Sequence, residues 1–166
     1  MCNIREAHIE DAEKVINYIV KVSEETNFMM SDSNERELDV KKEEEFLQNI
    51  QKSITTKMFL CEMDDEIIGI CNLRGIDRKR VKHRVNLGIS VLKKYWGNGI
   101  AKRLINYALD YAKENSIKKI ELTVRTDNER ALKLYKSLGF FIEGRIKSFF
   151  CIDNVYYDCY IMGLFI

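Results

Sequence analysis

The sharpest change of hydrophobic period in the chain falls within Leu87–Ala101, LGISVLKKYWGNGIA. Apolar residues run almost unbroken through Leu87–Val91, and β-branched Ile89 and Val91 fit a strand buried on both faces. From Ile100 the interval becomes four. Ile100, Leu104, Ala108 and Ala112 recur with Ile105 and Leu109 beside them, which predicts a helix over Ile100–Asn115 with one apolar face. Upstream, residues 2–8 read as a short strand, and Ala12, Val15, Ile16, Ile19 and Val20 as a helical stripe. The pattern dissolves into a loop over Ser23–Asp39 and returns over Val40–Ser53 as a second short helix carrying Phe46, Leu47 and Ile50. Met58–Met63 and Ile67–Leu73 read as strands joined at Asp64-Asp65-Glu66, and Arg74–Arg84 as a solvated turn between antiparallel strands.

Downstream, Lys118–Arg125 alternates, with Ile120, Leu122 and Val124 on one side and Lys119, Glu121, Thr123 and Arg125 on the other. Asp127 or Asn128 can cap a helix that runs through Leu138, buries Ala131, Leu134 and Leu138, and ends at Gly139. Phe140–Phe150 and Val155–Phe165 then form two long strands around Asp153-Asn154, a closing hairpin. This order predicts one α+β domain over residues 1–166, with a mixed, mostly antiparallel sheet of about six or seven strands covered by helices on both faces.

Composition narrows the function classes. The chain has 166 residues, 46% of them hydrophobic, enough for one substantial core, and a formal net charge of +1 that selects neither nucleic acid nor a membrane as partner. The basic Arg74–Arg84 run lacks the interleaved aromatics of a nucleic-acid surface. Within Ser23–Asp39, six acids (Glu24, Glu25, Asp32, Glu35, Glu37, Asp39) face one base, Arg36. That is either a solvated loop or an acidic lip for a cationic amine, with Glu24 and Glu25 as candidate contacts. Five cysteines without a C-x-x-C pair fit core thiols in a reducing cytosol, and two histidines, His8 and His83, argue against a metal site. No apolar stretch is long enough for a membrane span and no apolar signal core opens the chain, so a cytoplasmic protein is expected.

Between strand and helix lies Trp96-Gly97-Asn98-Gly99-Ile100-Ala101. Two glycines let the backbone turn sharply and let a ligand reach the amides, and the helix N-terminus favours an anion such as a pyrophosphate. A plain strand-to-helix turn fits the same residues. There is no Gly-Lys-Ser/Thr ending for a P-loop and no third glycine at dinucleotide spacing.

The segment resembles motif A of the GNAT superfamily of N-acetyltransferases, Q/R-x-x-G-x-G/A, which holds the pyrophosphate of acetyl-CoA. Gly99 and Ala101 take the small positions, and Trp96 stands where Gln or Arg is usual. Asn128–Phe140, NERALKLYKSLGF, resembles motif B of the same superfamily, N-x-x-A-x-x-x-Y-x-x-x-G-F. The resemblance extends from Val85 to Met162. It implies acetyl-CoA as cosubstrate, held by residues 96–101 with Ala131, the backbones of Ile89 and Val91 against the pantetheine arm, a side-chain contact from Asn128, and Tyr135 as the donor to the departing thiolate. It also implies direct transfer to a small-molecule amine or a protein N-terminus, and a homodimer is compatible with it.

The chemistry supports part of this independently. Acyl transfer to an amine passes through a tetrahedral oxyanion and expels a thiolate, so a proton donor is needed at sulfur. A tyrosine hydroxyl, protonated at neutral pH, suits that role, although Tyr135 also fits a core aromatic. The amine must lose a proton. Counted back from Gly97, His83 matches the position where some superfamily members carry a glutamate base; it fits equally an exposed histidine closing a basic turn. Glu121 and Glu25 are the other candidates. From another class, a non-catalytic acyl-CoA-binding or scaffold domain would keep the glycine turn, and a protein-modifying enzyme acting near the ribosome would use the basic turn against RNA. The identity of the acceptor and the oligomeric state are open at this level.

Overall fold

The computed structural model describes residues 2–30 and 38–166. In chain order the elements are β1 (Asn3–Glu6), α1 (Ala12–Glu25), α2 (Val40–Lys52), β2 (Lys57–Met63), β3 (Glu66–Gly75), β4 (Arg84–Val91), α3 (Ile100–Glu114), β5 (Lys119–Arg125), α4 (Glu129–Ser137), β6 (Phe141–Ile152) and β7 (Val155–Phe165). Among the described residues, the seven strands form one mixed sheet in the order β1-β2-β3-β4-β5-β7-β6. Every neighbouring pair is antiparallel except β4 with β5.

Each local structure follows from its residues. Asp39 starts α2 by accepting the N–H groups of Lys41 and Lys42 at 2.9 and 3.4 Å. Asn128 starts α4 by accepting that of Ala131 at 3.2 Å. The β2–β3 hairpin turns at Asp64-Asp65 and the β6–β7 hairpin at Asp153-Asn154, all four residues at positive φ, as a two-residue turn matched to strand twist requires.

Strand alternation builds a core on each face. Phe59, Cys71, Leu73, Val85, Leu87, Ile120 and Leu122 point toward α3 and α4, whereas Met58, Leu60 and Ile70 point toward α1 and α2. At β5 no residue joins the core under α1 and α2 among the described residues. The second face of β5 carries instead an ion-pair row in which Arg84 meets Glu121 at 2.5 Å and Lys119 joins Glu121 and Glu143 at 3.1 and 2.9 Å.

Two expectations shift. The first strand is only Asn3–Glu6, because Arg5 and His8 turn the chain toward α1. The helix expected to end before Ser23 continues to Glu25 and buries Ala12, Val15, Tyr18 and Val22, so Tyr18 belongs to a stripe that a search for aliphatic residues passes over. Of the remaining acidic segment, Asp32, Glu35, Arg36 and Glu37 lie outside the described residues.

Arg5 ties the first turn together. Its guanidinium grips Asp11 with two bonds of 2.7 and 2.8 Å and Glu62 of β2 at 2.8 Å, and Asp11 also accepts the His8 N–H at 2.8 Å. Burial alone would raise the Asp11 pKa, but the bonds from Arg5 and His8 outweigh it and hold the carboxyl below its ordinary value. A depressed folded pKa contributes stability above the unfolded value of about 3.9 and loses it as pH falls through the folded value. Asp11→Asn is therefore expected to cost about 1.5–3 kcal/mol at pH 7, the worth of hydrogen bonds to a charged group, and progressively less below about pH 4. Urea titrations of both proteins at pH 7 and pH 3 check this; an unchanged gap between them would remove Asp11 from the account.

Candidate active site

The site begins where two strands part. β4 pairs with β5 at Arg84↔Lys119, Val85↔Ile120 and Asn86↔Glu121, while β4 stays paired to β3 as far as Val91, and β5 to β7 as far as Arg125. A wedge opens beyond Asn86. The Leu92 N–H donates to Ile68 O of β3 at 3.0 Å, so by strand alternation Val91 and Ile89 turn their N–H and C=O groups the other way, into the wedge. One of these groups is already used, since the Trp96 indole N–H donates to Val91 O at 2.7 Å.

The glycine turn continues from this edge. Gly97 and Gly99 have φ of +84° and +73°, and a Cβ added at either would meet nothing within 4 Å, so bare backbone lines an open cradle. Gly99 precedes α3 without a side-chain cap, and the first amide to bond back is Arg103 N–H to Gly99 O at 3.1 Å. The amides of Ile100, Ala101 and Lys102 thus stand at the positive end of the helix dipole without a capping side chain. Asn98 is exposed and Ile100 anchors the helix in the core. This cradle can accept a pyrophosphate. Trp96, at the position of the unusual substitution, is covered by the Arg130 guanidinium 4.1 Å from its ring, so a cation from α4 is brought beside the turn. Arg130 escapes a reading of the sequence because nothing in helical spacing pairs it with Trp96.

On the α3–α4 side, Tyr135 is 8% exposed and its ring meets Phe140 edge-on at 5.8 Å. Burial raises its pKa, with a smaller push from Cys71, so the phenol keeps its proton. Among the described residues its hydroxyl has no hydrogen-bond partner. Cys71 lies opposite Ile89 in the β3–β4 ladder, which brings Tyr135 close to the wedge. Burial also raises the Cys71 thiol pKa and leaves it a poor nucleophile. Ala131, half-buried on α4, packs against the same core. Asn128 spends its side-chain oxygen on the Ala131 amide, which leaves its NH₂ group for other contacts.

The opposite face holds a cavity of about 230 Å³ bounded by α1, α2 and the sheet. At its wedge end the Tyr18 hydroxyl donates to Ser90 Oγ at 2.9 Å. Glu25, in the last turn of α1, accepts the Lys93 N–H at 2.6 Å, two residues past the end of β4. Glu24 beside it is exposed.

Arg125 corrects the expected two-sided pattern of its strand. It is 4% exposed, bonded to Asp127 at 2.6 and 3.0 Å and to Asn27 O at 3.2 Å, with Tyr157 and Phe28 rings at 3.8 and 4.6 Å. It joins the segment after α1 to β7 beside the wedge. The other base candidates lie elsewhere. His83 is exposed in the turn before β4, where its carbonyl accepts the Lys118 and Lys119 N–H groups at 2.8 and 3.1 Å, and five residues of strand, about 17 Å, separate it from Gly88. Glu121 sits on the last paired rung. Burial would raise its pKa, but bonds from Lys119 and Arg84 lower it overall and occupy the carboxylate. The wedge therefore gathers Ile89, Val91, residues 96–101, Asn128, Tyr135 and Glu25, and leaves His83 and Glu121 at its closed end.

Among the described residues, no cluster of three or more metal-ligating side chains occurs and no helix is long and apolar enough to cross a membrane. The sequence is 31% identical over 110 residues to a spermidine N(1)-acetyltransferase of Escherichia coli, covering 66% of this chain and 58% of that enzyme. It is also 31% identical over 109 residues to an L-amino acid N-acetyltransferase of the same organism, covering 64% of this chain and 67% of that one. A crystal structure of a GNAT-family acetyltransferase from Streptococcus pneumoniae superimposes with a TM-score of 0.97 at 34% identity, over 100% of both chains. Residues 22–140 match the model of the acetyltransferase (GNAT) family, and the chain belongs to that family.

Proposed function

We propose that the protein is an acetyl-CoA-dependent N-acetyltransferase that moves the acetyl group directly to a primary amine, either of a small molecule or of a protein N-terminus. The observation that carries this reading is the unpaired edge of β4, which presents Ile89 and Val91 and runs straight into the open glycine cradle. An extended amide-bearing arm that ends in a pyrophosphate matches both parts of that surface. The backbone amides of residues 97–101 hold the phosphates, with Arg130 on Trp96 adding charge, and the β4 edge and Asn128 hold the arm. When bound, acetyl-CoA supplies an activated acyl group and a thiolate leaving group.

The remaining chemistry falls to side chains. Tyr135 gives its proton to the departing sulfur; its raised pKa keeps that proton in place, and its hydroxyl has no competing partner among the described residues. A scaffold that only bound acyl-CoA would have no use for a phenol whose ring is packed in the core while its hydroxyl is left accessible and unpartnered among the described residues, which favours the enzyme over the binder. The acceptor enters from the cavity beside Ser90. We assign the amine's proton to Glu25 in place of His83, because Glu25 is the base candidate at the open end of the wedge and the Lys93 N–H fixes one of its oxygens.

Four outcomes test this reading. A ligand at a hundred times its dissociation constant adds about 2.7 kcal/mol of stability, so acetyl-CoA should raise the melting temperature of the parent. Gly99→Val should lose most of that rise, since it puts a branched side chain into the cradle at a positive φ, and a parent-like rise would move the phosphate site elsewhere. Tyr135→Phe should lower turnover by about 10²–10⁴-fold in a CoA-thiol release assay while binding acetyl-CoA like the parent. Full activity in that variant would leave Tyr135 a packing residue. Glu25→Gln should lower kcat, whereas His83→Gln should track the parent; the reverse result would return the base role to His83.

A further inference from the structure

The cavity that admits the acceptor also carries information about the acceptor's far end, an inference that rests on the reading just given. Its floor is the α1–α2 face of β3 and β4. Ile70 lies opposite Ser90 and Asn72 opposite Gly88 in the ladder, and Arg74 follows two residues after Asn72 on the same face. A Cβ added at Gly88 would meet nothing within 4 Å, so the floor is bare next to the wedge. Met58 and Ile70 from the sheet and Phe46 from α2 give the middle an apolar lining. At the far end stands Arg74, whose guanidinium makes no ion pair or hydrogen bond among the described residues. Four residues of strand separate it from the level of Ser90, about 13 Å along the backbone, and its own side chain can reach part of the way back.

This arrangement points to an acceptor of a defined kind, and we propose that the enzyme prefers a primary amine carrying an anionic group about 8–12 Å from the reactive nitrogen across an apolar spacer. The unpaired fork of Arg74 is suited to a carboxylate or a phosphate, which it can bind through two parallel bonds. The same cation repels a second ammonium at that distance. Among the described residues the charged groups of the lining are one carboxylate, Glu43, and one guanidinium, Arg74, so these two together supply no net negative charge to hold a polycation. Arg74 thus separates anionic-tailed amines from polyamines, although both present the same reacting group.

The test is a matched panel assayed for CoA-thiol release at saturating acetyl-CoA: 8-aminooctanoate, octylamine and 1,8-diaminooctane, which share a spacer and differ in the distal group. The parent should favour 8-aminooctanoate over octylamine by roughly tenfold in kcat/KM, mostly through KM, and disfavour 1,8-diaminooctane. Arg74→Gln should bring 8-aminooctanoate down to the octylamine level and leave octylamine unchanged. Arg74→Glu should invert the order in favour of the diamine. Equal rates for 8-aminooctanoate and octylamine in the parent, or an equal loss for both in Arg74→Gln, would overturn the proposal while leaving the acetyltransferase reading intact. No turnover of any of the three amines, with acetyl-CoA shown to bind, would count against the amine-acceptor reading and take this proposal with it.

Discussion

The structure turns on an incomplete strand pairing. A parallel ladder between β4 and β5 that continued past its third rung would satisfy both backbones and close the sheet. Because it stops at Asn86, the far half of β4 keeps an edge whose amides and carbonyls need a partner. The Trp96 indole takes one of these groups, Val91 O, and sets the direction in which the chain leaves for the glycine turn and α3. Most of the remaining site is fixed relative to that edge. Cys71 sits across from Ile89 and places Tyr135, Ser90 holds the Tyr18 hydroxyl, and Glu25 caps the turn that follows the strand.

The sequence foretold the parts that local periodicity determines. The switch from unbroken apolar residues to a four-residue interval marks β4 and α3, and the two glycines between them take the positive φ that a sharp strand-to-helix turn demands. The two hairpins are equally visible in Asp64-Asp65 and Asp153-Asn154. What eluded a linear reading depends on partners far away in the chain. Arg125 alternates with apolar neighbours as a solvent-facing residue would, yet Phe28 and Asn27, almost a hundred residues earlier, cover it. Tyr18 reads as polar-edged and is buried because Ser90 satisfies its hydroxyl. His83 matches a position by counting, but counting does not reveal that β4 and β5 are still paired there. The pairing length, a tertiary quantity, decides which end of β4 keeps a free backbone edge.

Burial works in opposite directions on groups near the wedge. For Tyr135 and Cys71 it disfavours the charged form, so the phenol holds its proton and the thiol stays inert. For Glu121, the cost of burial is outweighed by two cations that hold it ionised and occupied. A phenol that keeps its proton, an inert thiol and a carboxylate held by two cations therefore follow from differences in neighbours. Residue type alone does not separate Glu121 from Glu25; the groups bonded to each carboxylate do.

Strand alternation then explains how donor and acceptor can be recognised separately. Along β3, Cys71 faces α4 and Tyr135, while Ile70, Asn72 and Arg74 face the cavity under α1 and α2. The groups proposed for acetyl-CoA and those proposed for the acceptor are thus one sheet thickness apart and held by a single register. Shifting β3 against β4 by one residue would exchange the two faces, bury Arg74 and expose Cys71, so the two hydrophobic cores that fix this register also fix the geometry of the reaction. Residues that line the cavity without joining either core, such as Arg74, escape that constraint. They can change without disturbing either core, which leaves acceptor preference free to vary on a cofactor-binding frame that packing holds fixed.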